Sequence, residues 1–244
     1  MHVSLSQPQP SSSSSVQTPG REDKGLPDHL MFIFPRPFSQ EPQLIQKVTR
    51  SQIQEGMALE YSSSAPPDCS PPTLSMHTTL RSGEEAVVNR GTLDGRPVVA
   101  KLYEVGCFAS LLRELDAYEC LRSLRSIPKC LGVFAPSHRA WAALLLEDKG
   151  DSVGEWEGLS LDERWALYEA ATDIHAAGVI HCDLQGNNVV RDSRGRLYII
   201  DFGYSYLDHC CEPQTCDELL SLLRRLALTR DDDEDGRESP PCLR

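Results

Sequence analysis

Two carboxylates and one amide in the second half of the chain have the types and the spacing to hold a divalent cation and orient a hydroxyl group. Asp183 and Asn188 lie five positions apart, and Asp201 follows Asp183 by 18 positions. The intervening sequence predicts two short strands and a tight turn, which would bring the ends of the hairpin together. One carboxylate could then orient an acceptor hydroxyl while the other, with the amide, holds magnesium, as phosphoryl transfer requires.

The same residues resemble a known catalytic motif. The run from His181 to Asn188 is similar to the catalytic loop of the protein-kinase-like superfamily, and the run from Asp201 to Gly203 is similar to its Asp-Phe-Gly motif. The resemblance implies an ATP-dependent phosphotransferase, a protein kinase in the simplest case, with ATP and Mg²⁺ as cofactors. It assigns Asp183 a catalytic role, makes Asn188 and Asp201 the metal ligands, and leaves the protein substrate open.

A lysine in a predicted strand and a glutamate in the next predicted helix complete this pattern. Residues 97–103 predict a strand, and residues 108–124 predict a helix with apolar side chains at spacings of three and four. In the superfamily, such a lysine contacts the α and β phosphates and pairs with a helix glutamate. The resemblance therefore assigns Lys101 and Glu114 to these roles, with Glu119 as the other candidate partner. Without the resemblance, Lys101 would be interpreted as a surface lysine and Glu114 as a solvated helix residue.

A nucleotide pocket is the next implication of the resemblance. Of the glycine-rich loop only Gly83 remains, and two glutamates follow it where backbone amides usually face phosphate. Carboxylates there would repel a nucleotide unless they point outward. The other implied contacts are two residues that would flank the adenine ring and one in the hinge: Val87, Ala100 and Glu147.

The sequence also departs from the superfamily pattern. Gln185 stands where serine/threonine kinases usually have a lysine that contacts the transferred phosphate, and the 41 residues after Gly203 contain no Ala-Pro-Glu motif. Two alternatives therefore stay open. One is a pseudokinase that acts as a nucleotide-binding or partner-binding module, and the other is a small-molecule kinase of the aminoglycoside/choline phosphotransferase type.

Composition divides the chain into three regions. Residues 1–75 contain 14 Ser, 11 Pro and 8 Gln and are predicted to be disordered. Residues 76–230 form the predicted protein-kinase-like domain, and residues 231–244 are a predicted acidic disordered tail. The expected fold class is α+β: a two-lobed fold with an N-terminal β-sheet lobe carrying one helix and a reduced helical C-terminal lobe.

Two apolar islands interrupt the polar N-terminal region. One is the run from Met31 to Phe34, and the other is a short predicted helix that carries apolar residues between 44 and 53. They are interpreted either as a docking segment for a partner, within residues 31–58, or as a transient apolar cluster.

Charge and cysteine content exclude several classes of protein. The net charge of −12 argues against nucleic-acid binding, and no run of about 18 apolar residues predicts a membrane helix. The N-terminus does not resemble a secretory signal. The nine cysteines are odd in number and scattered, which favours reduced thiols and an intracellular, cytoplasmic or nuclear location. Cys210, Cys211 and Cys216 near His209 are interpreted as loop thiols rather than zinc ligands, since this stretch is taken to contain neither paired cysteines nor paired histidines at zinc spacing, and no second ligand pair is apparent elsewhere.

Overall fold

A closed β-barrel is the dominant feature of the computed structural model, which describes residues 26–34, 42–54, 71–137 and 140–228. Within these ranges the barrel has seven strands, in the spatial order β1-β2-β6-β7-β5-β4-β3. The strands are β1 (His29–Ile33), β2 (Gln43–Val48), β3 (Thr73–Ser82), β4 (Ala86–Leu93), β5 (Arg96–Glu104), β6 (Cys130–Pro136) and β7 (Trp141–Glu147). Neighbouring strands are antiparallel except β1 and β3, whose parallel pairing closes the barrel.

This barrel shows that the predicted two-lobed, protein-kinase-like α+β fold is wrong. The described residues form mostly sheet with few helices, and the sheet is closed rather than open at an edge. The physical reason lies in β1 and β2, which come from the segment predicted to be disordered. Their strands supply the pairings that join β6 to β3, so no edge of the sheet remains in the described part of the chain.

The two apolar islands are parts of the barrel rather than a transient apolar cluster, and docking of a partner within residues 31–58 stays a prediction. Leu30 and Phe32 on β1, and Ile45 on β2, are fully buried inside the barrel. The region expected to be a helix after Pro42 is strand β2 followed by the short helix α1 (Arg50–Gln54). The rest of the predicted N-terminal region and the predicted acidic tail lie outside the described residues, and the predicted boundary at residue 76 falls within β3.

Alternation along β5 separates the barrel interior from its outer face. Val98 and Ala100 are buried in the interior cluster, whereas Lys101 and Tyr103 face outward, towards the helices. The preceding turn contains Asp94 and Gly95, both at positive φ (48° and 78°), which is the backbone of a tight two-residue hairpin. The register of this hairpin fixes which side chains of β5 reach the outer face of the barrel.

All seven strands contribute to the interior core. Burying each large apolar side chain there stabilises the fold by about 1.5–3 kcal/mol. The core residues are Leu30, Phe32, Ile45, Leu74, Met76, Leu93, Val98, Ala100, Phe134 and Leu145.

A second core joins the outer face of the barrel to the helices and to a small sheet. The helices are α2 (Phe108–Cys120), α3 (Leu161–Ala176) and α4 (Asp217–Arg225), and the sheet comprises β8 (Asp151–Ser152), β9 (Val189–Arg191) and β10 (Leu197–Ile199). A capping box begins α3, because Ser160 Oγ accepts from Glu163 N and the Glu163 carboxylate accepts from Ser160 N. The helix ends before Gly178, whose φ of +83° suits a C-terminal stop.

None of the helices described is long and apolar enough to cross a membrane.

Replacing Phe32 with alanine tests whether β1 belongs to the folded barrel. We expect Phe32→Ala to lower the free energy of unfolding by about 3–5 kcal/mol, because the side chain is fully buried in the interior core. Met31→Ala is the matched control, since Met31 lies on the opposite face of the same strand and is only half-buried. Urea unfolding of the full chain measures both, and equal stability of Phe32→Ala and wild type would contradict the barrel.

Candidate active site

A cleft of about 500 Å³ lies between the outer face of the barrel and the segment that carries Asp201. Its size is within the range of sites that bind small molecules and cofactors. Strands β3, β4, β5 and β7 form one wall, and residues 185–201 contribute the other. The apolar part of the lining includes Leu80, Val88, Val99, Leu146, Val190 and Ile200.

Lys101 forms the charged centre of this cleft. Its Nζ atom lies 2.9 and 2.6 Å from the two carboxylate oxygens of Glu114 and 2.7 Å from Oδ1 of Asp201. Glu114 is fully buried on α2, where it also accepts a hydrogen bond from the hydroxyl of Tyr103. The lysine therefore ties strand β5, helix α2 and the chain after β10 to one point.

The charges of this cluster stabilise one another. Burial alone would lower the pKa of Lys101, but the adjacent carboxylates of Glu114 and Asp201 raise it above its ordinary value. Burial would likewise raise the pKa of Asp201, but the Lys101 ammonium holds it below its ordinary value. Both groups are consequently ionised at neutral pH, and Asp201 presents a carboxylate to the cleft.

The loop before β9 holds Asp183 in one orientation. Asn188 Nδ2 donates to the Asp183 carboxylate at 2.9 Å and to its backbone oxygen at 2.8 Å. Gln185 Nε2 donates to the same carboxylate oxygen at 3.3 Å. Gly186 lets this loop approach the backbone of Gly154, because a Cβ at position 186 would overlap the Gly154 oxygen.

His181 and Glu218 anchor the backbone of the loop. His181 Nε2 lies 3.0 Å from the oxygen of Ile200, and Nδ1 accepts from Asp183 N at 3.3 Å, so the ring links the two ends of the hairpin. Glu218, in the first turn of α4, accepts from His181 N at 3.1 Å and from Cys182 N at 2.6 Å. Burial would raise the pKa of Glu218, but these amides and the His175 ring lower it below its usual value.

Backbone strain coincides with the candidate site. Cys182 and Asp201 have φ values of 64° and 70°, a left-handed conformation that is uncommon for residues with a side chain. Such strain persists where surrounding contacts over-determine it, and it concentrates at functional sites. Here the bonds to Glu218 and Lys101 supply those contacts.

The structure brings Lys101, Glu114 and Asp201 into contact and places Asn188 on the lining of the same cleft. Asp183 is absent from the described lining and is joined to it through Asn188. Glu114, rather than Glu119, lies against Lys101, and Asp201 contacts the same ammonium group. Asn188 donates to the Asp183 carboxylate, and its backbone oxygen accepts from the N–H of Ile200, the residue before Asp201.

The candidate nucleotide contacts are less well grouped. Glu147 lines the cleft, but Gly83, Val87 and Ala100 are absent from its described lining. Ala100 faces the barrel interior, so Val99 lines the cleft on β5 and Val88 lines it on β4. The physical reason is the period of two in a strand, because a shift of one position moves a side chain to the opposite face.

Two functional candidates escaped the sequence analysis. Arg81 lines the cleft, and its Nη1 atom lies 3.4 Å from Oδ2 of Asp201. Its position two residues before Gly83 was the available signal. Glu218 gave no signal of its own beyond being an acidic residue near a helix start, because its partners lie 36 and 37 positions earlier in the chain.

The oxygen atoms facing the cleft suit Mg²⁺. This ion prefers carboxylate and amide oxygens and binds through few protein ligands. Asp201 and Asn188 both line the cleft, and the amide oxygen of Asn188 takes no part in the bonds that its Nδ2 makes to Asp183. The residues present therefore fit this ion.

Comparison with known proteins gives two short matches. Serine/threonine-protein kinase F of Synechocystis sp. is 42% identical over 43 residues, which is 16% of this chain and 9% of that protein. Serine/threonine-protein kinase PKH3 of Eremothecium gossypii is 46% identical over 50 residues, which is 18% of this chain and 7% of that protein. No family model matches the chain. The matches span less than a tenth of each relative and indicate a weak, partial similarity to serine/threonine-protein kinases.

The buried ion pair can be tested with a double-mutant cycle. We expect Lys101→Met to lower the free energy of unfolding by about 3–5 kcal/mol, because it leaves the buried Glu114 carboxylate without its cation. Adding Glu114→Gln should restore part of that loss, since the second change removes the unpaired charge. Urea unfolding of the four proteins measures the coupling. Additive effects of the two substitutions would contradict the pairing.

Proposed function

We propose that this protein is an ATP-dependent phosphotransferase that transfers the γ-phosphate of ATP to a protein hydroxyl group. The observation that carries the proposal is the arrangement in one cleft of an ion-paired lysine, a partly exposed carboxylate at Asp201, and Asn188, whose amide binds the neighbouring Asp183 carboxylate. The short similarity to two serine/threonine-protein kinases supports the same class of reaction.

Lys101 has the position and the charge to bind phosphate oxygens. Its ammonium group lines the cleft, and its contact with Glu114 fixes its direction while burial excludes water from its other side. A bound nucleotide would exchange the contact between Lys101 and Asp201 for one with phosphate. The fully buried Glu114 is thus a positioning residue, which acts through the lysine.

Asp201 and Asn188 would hold a magnesium ion. Once bound, this ion would neutralise negative charge on the phosphates. The contact with Lys101 keeps Asp201 ionised and oriented towards the cleft. The hydrogen bonds from Asn188 Nδ2 to Asp183 fix the rotamer of the amide, so its oxygen keeps a constant direction.

Asp183 has the geometry to accept the proton of an attacking hydroxyl. Two amide N–H groups, of Asn188 and Gln185, bind its Oδ2 atom and hold the carboxylate in place. Both of these bonds use Oδ2, so Oδ1 is the atom that would bind a hydroxyl and orient it for attack.

Arg81 can supply the positive charge that Gln185 lacks. Gln185 lines the cleft and donates to Asp183 but carries no charge. The Arg81 guanidinium enters the same cleft from β3, and its side chain is 60% exposed, so it remains free to turn towards a phosphate. We therefore assign Arg81 to stabilising the charge on the transferred phosphoryl group.

The neutral Gln185 also favours a second candidate, a nucleotide-binding module without transfer. Binding of Mg-ATP without transfer to any acceptor would support the module, whereas transfer that depends on Asp183 supports the enzyme.

Removing the Asp183 carboxylate tests the enzymatic proposal. We expect Asp183→Asn to lower the rate of phosphate transfer by about 10²–10⁴-fold, the usual contribution of a positioned general base. Asp173→Asn, on the exposed face of α3, is the matched control and should keep the wild-type rate. The assay follows radiolabelled γ-phosphate into the protein itself and into generic protein acceptors. Equal transfer by wild type and Asp183→Asn would overturn the assignment.

A second substitution tests the source of positive charge. Arg81→Gln should lower kcat by about 10²-fold. This loss is at the lower end of the range seen when one donor that stabilises a transition state is removed, because the Arg81 side chain is largely exposed. Arg96→Gln is the control, since Arg96 is exposed at the β4–β5 turn and outside the described cleft lining. Unchanged kcat in Arg81→Gln would exclude Arg81 from this role.

A further inference from the structure

A second cluster of chemical side chains lies where α3, α4 and the chain between them meet. His175, His209, Cys211 and Cys216 each offer one ligand atom, and these four atoms lie within 4.8 Å of one another. Nδ1 of His175 is 3.3 Å from Sγ of Cys211 and 3.4 Å from Sγ of Cys216. Sγ of Cys216 is also 3.7 Å from Nε2 of His209.

These separations match the edges of a tetrahedral metal site. With Zn–S bonds of about 2.3 Å and Zn–N bonds of about 2.0–2.1 Å, tetrahedral angles place nitrogen and sulfur ligands roughly 3.5 Å apart. The three measured nitrogen–sulfur distances, from 3.3 to 3.7 Å, lie around that value. Two imidazoles and two thiols are also a ligand set that suits zinc.

An outer carboxylate orients one of the ligands. Nε2 of the buried His175 lies 2.6 Å from Oε2 of Glu218, which leaves Nδ1 facing the cluster. A carboxylate behind a histidine in this way fixes the ring and raises its basicity as a metal ligand. The ring of His209 packs edge-on against that of His175, with centroids 4.9 Å apart.

We propose that His175, His209, Cys211 and Cys216 form a structural zinc site. Binding converts both thiols to thiolates, releases their protons to solvent and changes no oxidation state. Four protein ligands fill the tetrahedron, so the ion has no open position for a substrate and serves to hold the chain.

The proposed ion would connect this site to the loop that carries Asp183. Glu218 contacts His175 and at the same time accepts the backbone N–H groups of His181 and Cys182. Zinc bound at His175 would therefore fix the carboxylate that anchors the loop. This role does not depend on which reaction the cleft performs.

The spacing of the four ligands explains why the sequence pattern led to the interpretation of these cysteines as loop thiols. Cys211 and Cys216 form a pair with four residues between them, but the histidines are 34 positions apart. His175 and His209 come together only when α3 packs beside the chain that follows β10, and no short sequence motif indicates that contact.

The test measures zinc in the purified full chain, prepared with a tag that contains no histidine. We expect about one zinc per wild-type chain, and cobalt substitution should give the absorption of a tetrahedral site with thiolate ligands. Cys216→Ser should lose the zinc. Cys210→Ser should retain it, because the exposed Cys210 is next to a ligand but is not part of the cluster.

Two further measurements keep the test decisive if Cys216→Ser does not fold. Glu218→Gln should weaken zinc binding by about 10–100-fold in competition with a chromophoric chelator, as expected for loss of an outer carboxylate. Mass spectrometry of the wild type should find Cys211 and Cys216 without a disulfide. A folded wild-type chain that binds neither zinc nor cobalt, a Cys211–Cys216 disulfide, or zinc that is lost equally from Cys210→Ser would overturn the proposal.

Discussion

The buried ammonium group of Lys101 is the constraint on which the candidate site depends. Moving a charge out of water costs several kcal/mol unless partners surround it. Glu114 and Asp201 provide those partners, but they come from helix α2 and from the chain after β10. The charge therefore requires α2 to lie against the outer face of the barrel and Asp201 to turn inward. The same requirement explains the left-handed backbone at Asp201.

Glu218 performs a similar task on the other side of the Asp183 loop. One half-buried carboxylate receives two loop amides and contacts a histidine ring, so the position of α4 fixes the position of the loop. The barrel thus supplies Lys101 and the apolar wall of the cleft, while the helices supply the anchors. Chemistry at the cleft depends on both parts staying in contact through the outer core.

Local patterns in the sequence were sufficient for individual elements and for short-range contacts. The β4–β5 hairpin and the capping box of α3 follow from spacing and residue type. The contact of Lys101 with Glu114 agrees with what the resemblance to the protein-kinase-like superfamily implies, and spacing alone would not have predicted it. The global fold could not be predicted from these patterns, because β1 and β2 are short strands within a segment whose Ser/Pro/Gln-rich composition is typical of disorder. The sequence predicted Ala100 as a cleft residue, whereas the strand register places Val99 there and turns Ala100 towards the barrel interior. The cluster around His175 likewise depends on helix packing, and only tertiary contacts determine register and packing.

A structure determined with Mg²⁺ and a non-hydrolysable ATP analogue tests the central claim most directly, namely that this cleft binds a nucleotide for phosphate transfer. The account predicts phosphate oxygens within hydrogen-bonding distance of Lys101, and magnesium bound by Asp201 and Asn188. It also predicts that Asp201 exchanges its contact with Lys101 for the metal. A nucleotide bound elsewhere, or a cleft that stays empty at saturating nucleotide with Lys101 still paired to Asp201, would contradict it.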